Sequence, residues 1–215
     1  MKYDAVFYDL DGTIIDSVPV IMDSFHQTYI DVLGECTRTD EDLMSYIGRP
    51  LTDTFHMHDE VTARKLFDRY LEHNIEMLEK DCVQAFPGVV ESLKRLKGEG
   101  IYQGIVTSKR KRSAEITIKY KGLDDVFDMF LFGDDLNKAK PNPEPLYIAA
   151  GKAGITDMSR ILYVGDAMPD ILCAQAAGSD FALVDWTRMP KEEIISQNPT
   201  YVLKSLDDIS CIISG

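Results

Sequence analysis

The sequence predicts an α/β fold, a Rossmann-like parallel sheet flanked by helices, with an inserted α-helical cap domain. Three observations predict it. Short apolar runs bounded by turn residues recur along the chain, the mark of strands buried on both faces. From Q-A-F-P-G-V-V onward they alternate with helix-length segments, as parallel strands and their crossovers do. Residues 17 to 83 carry helical periodicity only. The expected division is a core domain of residues 1–16 and 84–215 and a cap domain of residues 17–83.

The first strand is A-V-F-Y, Ala5 to Tyr8, ending at D-L-D-G-T. A helix follows, with Val18, Ile21, Met22, Phe25, Tyr29 and Val32 at three- and four-residue steps. Thr39 can cap a second through T-D-E-D, and Gly48 is placed to end it. A third carries Leu66, Phe67, Tyr70, Leu71, Ile75 and Leu78 on one stripe. The later strands are Y-Q-G-I-V, M-F-L-F, I-L-Y-V and F-A-L-V, separated by segments such as V-V-E-S-L-K-R-L-K and D-I-L-C-A-Q-A-A-G.

Composition narrows the function classes. With 36 Asp+Glu against 23 Lys+Arg, the formal charge of -13 repels nucleic acid and anionic membrane. Cys36, Cys82, Cys173 and Cys211 lie far apart, none in a C-x-x-C pair, so neither a zinc site nor a disulfide framework is expected. Acids interrupt the N-terminal apolar run too early for a signal peptide, and no run of ~18 apolar residues occurs. A cytoplasmic protein, monomer or homodimer, without nucleic-acid or membrane partners is the expectation.

Ligands of parallel α/β sheets bind beyond the carboxyl ends of the strands. There this chain places Asp9 and Asp11, then Thr107, Ser108 and Lys109, then Lys140 in K-P-N-P-E-P, then Gly165, Asp166 and Asp170. Two acids at a strand mouth repel each other unless a cation lies between them. Mg²⁺, a hard ion taking oxygen ligands, suits them. Thr107 can donate to a phosphate oxygen, Lys140 can neutralise phosphate and keep a nearby carboxylate ionised, and Gly12 lets the backbone bend round the ligand with its amide N–H groups. These parts fit attack by Asp9 on phosphorus to form an aspartyl-phosphate, with Asp11 as acid and then base. The expected partner is a small phosphorylated metabolite.

In order and spacing, D-L-D-G-T, V-T-S-K, K-P-N-P-E-P and G-D-A-M-P-D resemble the four motifs of the haloacid dehalogenase-like hydrolase superfamily, and residues 17–83 resemble its helical cap. The V-T-S-K loop, the F-P-G-V hinge and the cap length are similar to its phosphoglycolate phosphatase and pyrophosphatase branch. The resemblance implies a Mg²⁺-dependent phosphatase with Asp9 as nucleophile, Asp11 as acid/base, and Thr107 and Lys140 as phosphate binders. It implies a metal held by Asp9, Asp166, the backbone carbonyl of Asp11, and Asp170 as the further acid of the last motif. Gly12, Ser108, Lys109 and Arg49 are the expected substrate contacts, Arg49 from the G-R-P-L loop of the cap. The rest of K-R-K-R, 109 to 112, reads as a solvated helix start. Alternatives are a sugar phosphomutase of the same superfamily and a receiver-like phospho-signalling domain, which has no place for so long a helical insertion. A dehalogenase, attacking carbon, has no use for Asp11, Asp166 and Asp170.

Overall fold

The computed structural model describes residues 1–48 and 51–214, without the side chains of Thr52 and Asp53. Strand β1 (Ala5–Tyr8) is buried along its length, as an unbroken apolar run requires. Two-residue strand β2 (Ile15–Asp16) follows, then helices α1 (Val18–Leu33), α2 (Asp40–Met44), α3 (Leu51–Thr54) and α4 (Glu60–Glu79). Strand β3 (Gln84–Ala85) then pairs antiparallel with β2, Ile15 opposite Ala85 and Asp16 opposite Gln84. The remaining chain runs α5 (Val89–Gly98), β4 (Tyr102–Val106), α6 (Lys111–Tyr120), β5 (Met129–Leu131), α7 (Glu144–Ala153), β6 (Ile161–Gly165) and α8 (Met168–Ala177). It ends with β7 (Asp180–Val184), α9 (Lys191–Ile195), β8 (Tyr201–Leu203) and α10 (Asp208–Ser214).

Six strands form a parallel sheet in the order β5-β4-β1-β6-β7-β8. Side chains alternate across it and split the core. Val6, Tyr8, Ile105 and Val164 pack with Leu93 of α5, Ile118 of α6 and Ile209 of α10. Ala5, Phe7, Val106 and Tyr163 pack with Leu146 of α7, Ile171 of α8 and Ile194 of α9. The result is the expected α/β fold.

Helices α1 to α4 have an apolar cluster of their own, in which Ile21, Phe25 and Tyr29 meet Leu43, Phe55, Leu66 and Tyr70. The fully buried row of α4 is Leu66, Tyr70, Asn74 and Leu78, so the stripe read from sequence passed over a polar member, Asn74. Thr39 caps α2 as expected, accepting from the Asp42 N–H while the Asp42 carboxylate accepts from the Thr39 N–H. That helix stops before Gly48: the N–H groups of Tyr46 and Ile47 bond three residues back, to Leu43 and Met44, tightening the chain into turns. Strand β8 and the β2–β3 ribbon were not expected, being three and two residues long. No helix among the described residues is long and apolar enough to cross a membrane.

Candidate active site

Tyr8 of β1 lies opposite Ile105 of β4 on one side and Val164 of β6 on the other. That register brings the residues leaving the three central strands, Asp9, Thr107 and Asp166, to one sheet edge. Lys140 enters from the loop beyond β5, and Asp170 from the first turn of α8. Between Asp9 and the helices the chain turns at Gly12, whose φ of +82° side chains disfavour. A Cβ there would lie 2.2 Å from Asp166 Oδ2, so the Asp166 carboxylate packs directly on the glycine backbone. The Gly12 N–H donates to the Ile15 carbonyl at 2.8 Å, which corrects the expectation of an amide offered to the ligand. What Gly12 provides is close approach.

Lys140 is buried, and its ammonium donates to Asp9 Oδ1 at 2.8 Å, Asp170 Oδ1 at 2.6 Å and the Tyr163 hydroxyl at 3.0 Å. An ammonium has three protons, so all are committed within the protein. Lys140 therefore serves the site as a fixed charge on Asp9, while the second Asp9 oxygen has no hydrogen bond among the described residues. Asp170 is as fully engaged. Its Oδ1 also lies 3.1 Å from the Tyr163 hydroxyl, and its Oδ2 accepts from the backbone N–H of Asp166 and Ala167 at 3.3 and 3.1 Å. The Thr187 hydroxyl donates to the Asp166 carbonyl at 2.8 Å.

Asp11 faces a different cation. Lys109 Nζ lies 3.0 Å from both of its carboxylate oxygens. The Lys109 backbone N–H donates to Thr107 Oγ1 at 3.1 Å, leaving that hydroxyl's own proton to be given elsewhere. Ser108 Oγ is buried without a partner among the described residues. Arg49 lies outside the described residues. Of the basic run, Lys111 and Arg112 are exposed at the start of α6, as expected of a solvated helix start.

Electrostatics single out the buried acids. Burial, only partly offset by Lys140 and reinforced by Asp170, pushes Asp9 up to about 7. Burial, then the charges of Asp170 and Asp9, raises Asp166 well above its usual range. Burial would lower Lys140, but Asp170 and Asp9 outweigh it and hold the ammonium well above its ordinary value. Carboxylate oxygens of Asp9, Asp166 and Asp170 lie within 4.8 Å of one another with that single ammonium among them. Such an all-oxygen, over-acidic cluster fits a hard divalent cation.

One cavity joins these groups to the helices. It is lined by Asp9, Asp11, Thr107, Ser108, Lys109 and Lys140 below and by Phe25, Tyr46, Leu51, Tyr70, Leu71 and Asn74 above. The centre of a water molecule can visit 110 Å³ of it. That is several times the roughly 10–15 Å³ a cavity needs to hold one water.

The haloacid dehalogenase-like hydrolase family model matches residues 6–184, and the chain belongs to that family. Among its relatives, pyrophosphatase PpaX of Oceanobacillus iheyensis is 32% identical over 213 residues, covering 99% of this chain and 98% of that protein. Pyrophosphatase PpaX of Halalkalibacterium halodurans is 35% identical over 214 residues, with 99% and 98% covered. The crystal structure of a predicted phosphoglycolate phosphatase from Haemophilus somnus matches with a TM-score of 0.87 at 25% identity over 99% of both chains. Sequence reasoning missed Tyr163, Thr187 and Tyr70. Tyr163 had a signal, since a tyrosine within a fully buried strand must find a partner for its hydroxyl.

Proposed function

We propose that this chain is a Mg²⁺-dependent phosphatase that hydrolyses a small phosphomonoester of the phosphoglycolate type, or pyrophosphate, through an aspartyl-phosphate on Asp9. The observation that carries this reading is the pairing of two acids with two different lysines at one cavity: Asp9 clamped by Lys140, Asp11 by Lys109. The division into a core of 1–16 and 84–215 and a cap of 17–83 belongs to the same reading, the cap closing the cavity from above.

Asp9 attacks phosphorus while the bond to the leaving oxygen breaks, and Asp11 gives that oxygen its proton. In the second step Asp11 takes a proton from water, whose oxygen attacks phosphorus and frees Asp9. The Thr107 and Ser108 hydroxyls donate to phosphoryl oxygens, and Lys109 is placed to pass from Asp11 to the phosphoryl group. Asp9 and Asp166, with the Asp11 carbonyl, would hold Mg²⁺, which supplies positive charge against the phosphate and the buried acids. Asp170 keeps Lys140 and the Asp166–Ala167 backbone in place.

The test is release of phosphate from phosphoglycolate, pyrophosphate and phenyl phosphate, with Mg²⁺ and with chelator. Turnover is expected only with the metal and is lost in Asp9→Asn, whose amide is a poor nucleophile. Near-normal kcat in that variant would remove the mechanism.

A further inference from the structure

Helix α4 sends two polar side chains, Tyr70 and Asn74, one turn apart, into an upper wall that also holds apolar Ile21, Leu51 and Leu71 and polar Tyr46 and Thr54. Asn74 donates to Ser24 Oγ of α1 at 3.4 Å. Tyr70 is different. It is 8% exposed, and its hydroxyl has no hydrogen-bond partner among the described residues. A hydroxyl that lines a cavity and has no protein partner there is free to donate to an acceptor that a ligand brings. The ring cannot easily turn away, because Phe25 packs against it at 4.6 Å between centroids, and Phe55 edge-on at 6.5 Å. Burial, then the charge of Asp11, keeps the phenol protonated and hence a donor.

We propose that Tyr70 is the specificity-determining residue of the leaving-group side, donating a hydrogen bond to an oxyanion, carboxylate or phosphoryl, that the substrate carries beyond the bridging oxygen. This rests on the phosphatase reading above and narrows it to doubly anionic small substrates. Ile21, Ile47, Leu51 and Leu71 of the same wall offer an oxyanion no hydrogen bond, so the hydroxyl helps to separate such substrates from those with a plain hydrocarbon leaving group.

Tyr70→Phe removes the donor and keeps the ring. For phosphoglycolate and pyrophosphate it is expected to lower kcat/KM by about ten- to a hundredfold, the scale of one charge-assisted hydrogen bond, mostly through KM. Phenyl phosphate, with no second anion, should change less than about twofold, and the Tm should hold, since no protein group loses a partner. Phosphoglycolate binding to Asp9→Asn, by calorimetry with and without Tyr70→Phe, reads the contact without turnover. Equal losses on all three substrates, or none on the anionic pair, overturn the assignment. If the parent protein releases phosphate from none of them, the phosphatase reading fails; an undiminished calorimetric affinity in the double variant then rejects Tyr70 separately.

Discussion

At Gly12 one missing side chain serves both backbone and site. Gly12→Ala forces a methyl group into the Asp166 carboxylate from a left-handed conformation that itself costs about 1–2 kcal/mol. The expected outcome is loss of most activity and weaker Mg²⁺ binding by titration calorimetry, with the chain still folded. Tyr163→Phe tests the other side. It strips a hydroxyl from Lys140, Asp170 and the Val106 carbonyl, all buried, at about 1–3 kcal/mol in chemical denaturation. The acids, Thr107 and Lys140 were legible in the sequence because polar groups directly after apolar runs stand out. Tyr163 and Tyr70 were passed over, because a tyrosine inside an apolar pattern is first taken as core, although burial of the whole Tyr163 strand signals that its hydroxyl needs a partner.

Among the elements, α4 and the start of α6 are joined by Arg110, whose guanidinium lies over the Phe67 ring at 5.6 Å while bonding Asp134 at 3.0 Å. Arg110 precedes α6 and lines the cavity, so the helices above are fastened to the loop that carries Thr107. A half-exposed cation–π contact contributes roughly 0.5–1 kcal/mol, and Arg110→Ala should raise KM a few-fold while Tm barely moves. Steady-state kinetics beside a melting curve checks this. Thr39→Ala, which opens the capping box of α2, should cost about 1 kcal/mol. Strands with long apolar runs were readable. β8 was not, because Y-V-L is short and only Leu203 is fully buried, so its place is set by pairing with β7 rather than by its own pattern.

For the molecule as a whole, the buried acids make stability depend on pH, and with the proposed Mg²⁺ bound that dependence is expected to change. An acid raised by folding keeps its proton in the native chain where the unfolded chain has lost it. For Asp9 that contribution is complete below the ordinary 3.8 and is lost as pH rises through about 7; Asp166 shifts in the same direction. In chelator, Tm should therefore fall by several degrees between about pH 5 and about pH 8. Saturating Mg²⁺ should abolish most of the fall, because the cation takes over from the protons. Scanning calorimetry across that range decides it, and a flat profile in chelator would count against a cation site among these acids.

The β2–β3 ribbon has a consequence for how such a molecule can vary. Asp16 and Gln84 sit opposite each other, so the chain leaves the sheet and returns to it through neighbouring residues. Seen from the sheet, helices α1 to α4 form a side branch on a narrow stem, one that also packs Val20, Leu78 and Val83 into the core beside Val6 and Tyr8. A two-residue Asn-Gly turn could bridge the stem in its place. Substitutions within those helices can therefore change what is admitted to the cavity while Asp9, Thr107 and Asp166 keep their places at the strand ends.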